Sequence, residues 1–567
     1  MTAVAPPPPD NPNVGRAGGI MMASLFLSRV LGLVRNAVIA AMFGQSLDTA
    51  AYIQSFKVAD LIFYLVAGGA LSSAFIPVFS EYLHTGKEED AWHIFSAVTT
   101  LMTILVTVAI VLAWIFAPQL IHVIAQGTPE SWDLAIYMSR IVLPAQLAFF
   151  VGGLMFGTLY ARQRFAVPGL GPNLYNLGII FGAVAISHFV DPAVAGLSWG
   201  ALAGAFVGNI IVPFFAMRNS GTRFRPTLNL SHPGVKKVFR LMLPVILGLS
   251  LPAIYGLVMS YFVAFYGVEM VAALDNSDRI MQAPLAVFGQ SLALAAFPAL
   301  TQFFAQNKMG AYRDQLSKTL RTVLYLSIPV SALLIAMPEG VIKILLEHGN
   351  FGLRETARTA PILQVFAICV AAWCMQPVLM RAYFAIQQTV RPILISSATT
   401  GLFVGLCYLL PMTPLRQLGL PLAGSISAAV LVIALLFGLK PFTGGFDAKG
   451  ILETLGKCII ASTGMAVPCW LASQKLLTLN VPKAAFMGLF VLIGLVGIWV
   501  YIWITRAFKM PEAAYVDRAM RRLNRKGNPD SDDPDGGGSP GKNRPPDPDD
   551  PDPKVLEEEM DIIDPDA

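Results

Sequence analysis

Apolar residues run through this chain in long, almost unbroken stretches separated by short polar or Pro/Gly-rich breaks. Leu101 to Phe116, Leu241 to Phe265, Thr399 to Leu410 with its neighbours, and Met487 to Ile504 are examples. Runs of this kind match the roughly twenty residues that carry a helix across a bilayer core. They are continuous rather than alternating, which predicts helices and not barrel strands. About fourteen such spans are expected between Gly18 and Thr505, an even number that puts both ends of the chain on one side. Composition agrees: 55% of the 567 residues are hydrophobic and 13% charged, about half the charged share of a soluble globular chain.

Charge then assigns the side. Cations gather in alternate loops, at Arg162 and Arg164, at Arg218, Arg223, Arg225, Lys236 and Lys237, at Lys308, Arg313, Lys318 and Arg321, at Lys440 and Lys449, and from Arg506 to Lys526. The intervening loops, such as Gly44 to Thr49, Gln126 to Ser131 and His188 to Pro192, carry no Lys or Arg. Both termini are therefore expected in the cytoplasm. Met1 to Asn13 is Pro-rich without a basic start, so no secretory signal is expected there. The five cysteines, Cys369, Cys374, Cys407, Cys458 and Cys469, have no metal-ligand spacing and are expected as packing residues.

Two stretches 221 positions apart read alike: Leu71 to Tyr82, with Pro77, and Leu292 to Phe303, with Pro298, each followed ten residues after its proline by Lys87 or Lys308. A second pair, Tyr160 to Pro168 and Phe384 to Pro392, superposes on Ala, Gln and Pro at an offset of 224. Copies in the same orientation predict an all-α protein of two pseudo-symmetric six-helix lobes facing one another across a cavity, able to rock between two openings. The expected divisions are an unstructured segment 1–17, lobes 18–230 and 231–445, two extra helices in 446–506, a basic amphipathic segment 507–526 and an acidic disordered tail 527–567.

Ionisable side chains inside spans are costly and default to function. Arg29 and Arg35 lie in the first span, six residues and thus about 120° apart on a helix. Arg279 stands in Asp275-Asn-Ser-Asp278-Arg279, where an ion pair to Asp275 one turn earlier and a ligand-binding guanidinium are both open. Arginines at membrane depth suit a phosphate or diphosphate, because guanidinium presents a permanently charged fork of donors. Asp60, Asp275 and Asp278 are the acids an ion-coupled cation or drug exporter would use, and Lys57 is expected to pair with Asp60. No Gly-rich phosphate loop, Cys/His cluster or other catalytic or nucleic-acid-binding motif occurs, so neither an enzyme nor a bound cofactor or metal is expected.

Taken in order, several motifs resemble the MurJ (MviN) lipid II flippases of the multidrug/oligosaccharidyl-lipid/polysaccharide exporter superfamily. They are Ser28-Arg-Val-Leu-Gly-Leu-Val-Arg35, Phe75-Ile-Pro77, Arg164-Phe-Ala-Val-Pro168 followed by Asn176, Asp278-Arg279 with Pro284-Leu and Phe288-Gly289, Glu347-His-Gly349-Asn-Phe351, and Arg381-Ala-Tyr-Phe-Ala385. The resemblance spans about Gly18 to Thr505. It implies an inner-membrane flippase that moves undecaprenyl-diphosphate-linked peptidoglycan precursor by alternating access. It also implies diphosphate binding by Arg29, Arg35 and Arg279, and a lipid-tail groove in the last two helices. Its expected partners are that precursor, membrane lipids and cell-wall synthesis proteins. The chain departs from the family pattern at Phe63 and Tyr64, at Gly68, at Ala50 and at Asn36. Transport of another lipid-linked glycan, and a scaffold recruiting partners through the acidic tail, are the alternatives these departures raise.

Overall fold

The computed structural model describes residues 12–65, 68–124, 128–162, 164, 166–218, 222–249, 251–479 and 481–513. The expected basic segment, beyond its first residues, and the acidic tail lie outside them. Among the described residues every regular element is helical, as continuous apolar runs demand in a solvent that cannot satisfy backbone polar groups. The first stretch holds α1 (Pro12–Phe43), α2 (Leu47–Leu65), α3 (Gly68–His84), α4 (Glu88–Ile115), α5 (Ala117–Ile124), α6 (Pro129–Val142), α7 (Ala145–Ala161), α8 (Ala166–Val184), α9 (Ala195–Phe206) and α10 (Val212–Arg218). The second holds α11 (Pro233–Leu249), α12 (Leu251–Ala264), α13 (Val268–Pro284), α14 (Ser291–Ala305), α15 (Met309–Ala336), α16 (Pro338–Leu345), α17 (Leu353–Ala367), α18 (Val370–Ala385), α19 (Val390–Leu409) and α20 (Gly419–Thr443). Then come α21 (Ala448–Thr478) and α22 (Lys483–Ala507). α1 starts inside the segment expected to lack structure, with Pro12 in its first turn, where a missing N–H costs nothing.

Ten helical segments among the described residues are long and apolar enough to cross a bilayer, and α17 with α18, bent by 46°, makes an eleventh. The chain is thus a multi-pass membrane protein. The remaining expected spans fall on α1, α2–α3 and α11–α12, and fourteen results only when these are added by position. α2 carries three charges, Asp48, Lys57 and Asp60, while α3, α11 and α12 are 17, 17 and 14 residues long.

Helix boundaries repeat at the sequence offset. α4 and α15 are both 28 residues long and start 221 positions apart, and each leads into an eight-residue helix, α5 or α16. Before them, Gly86 (φ 77°) and Asn307 (φ 55°) take the same left-handed turn. The following N–H groups, of Lys87 and Lys308, donate to Tyr82 O and Phe303 O. Packing repeats as well. α1 lies on α8, α8 on α9, α2 on α6 and α3 on α7, just as α12 lies on α19, α19 on α20, α13 on α17 and α14 on α18. α21 packs on α15 and α22, outside the repeat.

The α8–α9 crossing shows what holds helices together where lipid gives no hydrophobic incentive: small residues that let backbones touch. Gly178 and Gly182 face Gly196, Gly200 and Gly204, and a Cβ on Gly182 would stand 2.3 Å from Gly196 O. Backbone cannot move aside cheaply. Gly182→Ala is therefore expected to cost about 1–3 kcal/mol, read as a lower midpoint of thermal unfolding in detergent, whereas Gly310→Ala, with nothing within 4 Å, should change little.

Candidate functional site

α1 is fastened to α8 by polar side chains. Asn173 Nδ2 donates to Ser24 Oγ (2.8 Å) and to Gly169 O (2.9 Å), and Asn176 Nδ2 donates to Ser28 O (3.2 Å) and Pro172 O (3.1 Å). With its amide so oriented, Asn176 turns Oδ1 toward Arg35, whose Nη1 donates to it at 2.9 Å. Asn36 Oδ1 accepts from Arg35 Nε (3.2 Å) and Nη2 (3.1 Å). The guanidinium is thus held by two neutral amides and keeps its full charge for a ligand. Asn176→Ala removes one side of that cradle. The loss of about one hydrogen bond to a charged group, about 1.5–3 kcal/mol, is expected to show as a lower midpoint of thermal unfolding in detergent.

Arg35 lines a cavity of about 280 Å³ with Asn36, Tyr52, Lys57, Asp60, Tyr175, Asp275 and Arg279 among its walls. α1, α2 and α8 supply one side and α13 the other, so the cavity sits between the repeated halves. Arg279 Nε donates to Asp275 Oδ2 at 2.6 Å; it makes the intrahelical ion pair and lines the cavity as well. Gln282 Nε2 donates to Asp278 Oδ2 at 2.5 Å, and Asp278 is not among the lining residues. The expected Lys57–Asp60 ion pair does not form: both side chains border the cavity, and Lys57 Nζ reaches across to α12, 3.9 Å from a Cβ built on Gly256. Arg29 is exposed and lies outside the lining, as its 120° rotation from Arg35 requires. The cavity therefore gathers three cations, Arg35, Lys57 and Arg279, against two acids, Asp60 and Asp275. That imbalance favours an anion. Among the described residues no three His, Cys, Asp or Glu side chains converge to hold a metal ion.

Contacts across the halves close one end of this cavity, beside Gly44 and Thr49. Asn350 N–H donates to Ala41 O at 2.7 Å, and its Nδ2 donates to Met42 O at 2.5 Å. Gln45 Nε2 donates to Thr359 Oγ1 at 2.6 Å, both residues being buried, and Arg358 pairs with Glu269 at 2.6 Å while its Nη1 reaches Gln45 Oε1 at 3.4 Å. Gly44 (φ 62°) and Gly349 (φ 58°) allow the close approach: a Cβ on Gly349 would fall 2.0 Å from Ala41 O. Sequence reasoning missed this seal and the place of Tyr52 and Tyr175 in the cavity wall. The only signal for it was the Glu347-His-Gly349-Asn-Phe351 motif, noted without a role.

Of the departures from the family pattern whose side chains are described, Asn36 lines the cavity and accepts from Arg35, whereas Phe63 and Ala50 occupy packing positions. Phe63 stacks near Phe150 (5.9 Å between ring centroids) and Phe149 (6.5 Å), and Ala50 is fully buried. Of Tyr64 and Gly68 only helical backbone is described. Four of the five cysteines are buried, Cys369 is half-buried, and all are free thiols.

The fold is shared with known transporters. A solved structure described as "Lipid II flippase MurJ, inward closed conformation" superposes with a TM-score of 0.71 at 23% identity, over 86% of this chain and 98% of that one. An inward-facing multidrug resistance MATE family transporter of the MOP superfamily gives 0.60 at 14% identity, over 73% and 98%. Among curated relatives, probable lipid II flippases MurJ from Thermotoga maritima and Bdellovibrio bacteriovorus are each 26% identical, over 88% and 81% of this chain and 96% and 88% of theirs. One from Buchnera aphidicola subsp. Acyrthosiphon pisum is 27% identical over 65% of this chain and 72% of its own length. The family model "Lipid II flippase MurJ" matches residues 39–508, nearly the whole helical body and all of the cavity lining except Arg35 and Asn36, and the chain belongs to the MurJ family.

Proposed function

We propose that this protein is a flippase that carries lipid II, the undecaprenyl-diphosphate-linked peptidoglycan precursor, across the inner membrane by alternating access. One observation supports it most: in a chain of the MurJ family, Arg35 and Arg279 come from opposite halves to line one cavity whose charge favours an anion. A diphosphate is the part of such a substrate that repays the desolvation of guanidinium groups, through bidentate, charge-assisted hydrogen bonds. Residues 18–230 and 231–445 act in this reading as the two rocking lobes, and α21 and α22 hold the lipid tail. The basic loops and both termini face the cytoplasm, so the sealed end beside Gly44 faces outward and the substrate enters from the inner leaflet. Lys57 and Asp60 remain charged wall groups for orientation or ion coupling.

Depletion in the native host tests the reading directly. Lipid-linked precursor should accumulate in the inner leaflet while its synthesis continues, and normal delivery to the outer leaflet, with no substitute flippase present, would overturn it.

A further inference from the structure

The segment joining the two halves, residues 222–232, is pinned to the outer face of α4 rather than left as a free loop. Arg225 N–H donates to Ser96 Oγ at 3.1 Å, and Thr227 N–H donates to Thr100 Oγ1, one turn further along, at 3.3 Å. Arg223 pairs with Glu89 at 3.1 Å, and the ring of Phe224 meets Phe95 edge-on at 6.1 Å. The chain then turns at Leu228–Leu230 and returns to the start of α4, where His232 Nε2 lies 3.7 Å from Asp90 Oδ1. Gly234 packs so tightly there that a Cβ would stand 2.3 Å from Ile94 Cδ1. The segment is a strap that dips along α4 and climbs back.

Its depth follows from α4 itself. That helix opens with Glu88, Glu89 and Asp90 and presents exposed apolar side chains from Ile104 (44%) and Leu105 (47%) onward. Thr100 lies four residues before Ile104, roughly 6 Å along the axis, so the tip of the strap stands where headgroups meet acyl chains. The strap exposes Phe224 (47%), beside Phe95, and, past its tip, Leu228 (56%) and Leu230 (42%). Around them Arg218, Arg225, Lys236 and Arg240 are exposed and form no ion pair among the described residues. Apolar side chains at the boundary beside unneutralised cations are the composition of a surface that binds anionic lipid.

We propose that this strap is a docking site for anionic phospholipid of the inner leaflet, with Arg218, Arg225 and Lys236 meeting the phosphate and Phe224, Leu228 and Leu230 entering the acyl boundary. The leaflet assigned here rests on the orientation given under the proposed function; the binding chemistry does not. The strap also joins the two halves, so a lipid bound there touches the connection about which they would move.

The test uses the full chain in detergent, where neither orientation nor transport matters. Native mass spectrometry during titration with phosphatidylglycerol, and separately with phosphatidylethanolamine, should show preferential retention of phosphatidylglycerol by the wild type. Each cation near an anionic surface contributes about a fivefold preference. R225Q alone should therefore lower phosphatidylglycerol retention several-fold, R218Q/R225Q/K236Q by tenfold or more, and both should leave phosphatidylethanolamine retention unchanged. F224S/L228S should weaken both lipids together. Equal retention of the two lipids by the wild type, or undiminished phosphatidylglycerol retention by R225Q and the triple variant, would overturn the proposal.

Discussion

Replacing Arg35 and Arg279 together by glutamine is expected to lower translocation by roughly 10²–10⁴-fold, since each charge-assisted hydrogen bond to a phosphate contributes about 1.5–3 kcal/mol. Arg35 is the cleaner single site, because its partners Asn36 and Asn176 are neutral and lose only a hydrogen bond when it goes. Arg279 differs. Its removal strands Asp275 in the cavity, and a loss of function could then reflect an unpaired acid rather than a missing anion site. D275N/R279Q separates the two: it restores charge balance, so a flippase that needs the guanidinium stays inactive while one that needed only a stable helix recovers. Complementation with membrane insertion checked by immunoblot reads the result, and growth supported by R35Q/R279Q at normal levels would remove the anion site.

The second large effect is expected at the seal. Gly349→Ala would force a left-handed backbone on a residue with a Cβ, at about 1–3 kcal/mol, and push that Cβ onto Ala41 O for about 1–3 kcal/mol more. The clash with Ala41 falls on the closed arrangement, whereas the backbone cost belongs to a turn within one half. A penalty of about 1–3 kcal/mol shifts a two-state equilibrium by roughly fivefold or more. A cysteine at Thr49, which is buried at the cavity's sealed end, should then react with an impermeant maleimide added outside, having been protected in the parent. Unchanged protection in Gly349→Ala would mean that the Asn350–Ala41 contact does not hold this end shut.

What was legible in the sequence follows the range of the forces involved. Apolar runs specify helices locally, and so all-α architecture could be read at once. The repeat was visible at Pro77 and Pro298 because a helix-internal proline tolerates few alternatives, and the matching boundaries of α4 and α15 carry the same register through the structure. Arg35 and Arg279 stood out because charge inside a span is costly wherever it lies. Their meeting was not legible. It depends on how α1 and α13 approach, which no local pattern encodes, and the same gap placed Arg29 with Arg35 although a helix turns them 120° apart. The Lys57–Asp60 pair failed for a related reason: spacing allows contact, but the direction each side chain takes depends on the walls around it, and Lys57 reaches across to α12 beside Gly256. The seal was least visible of all, since much of it rests on backbone groups, Ala41 O, Met42 O and Asn350 N, which every residue type supplies alike.

Arg35 and Arg279 stand on different halves, while Asp60 and Asp275 offset two of the chamber's three cations. In the proposed cycle a dianionic headgroup would bridge the two guanidinium groups across the seam. The cargo's own charge would then draw the halves together and supply part of the work of each stroke.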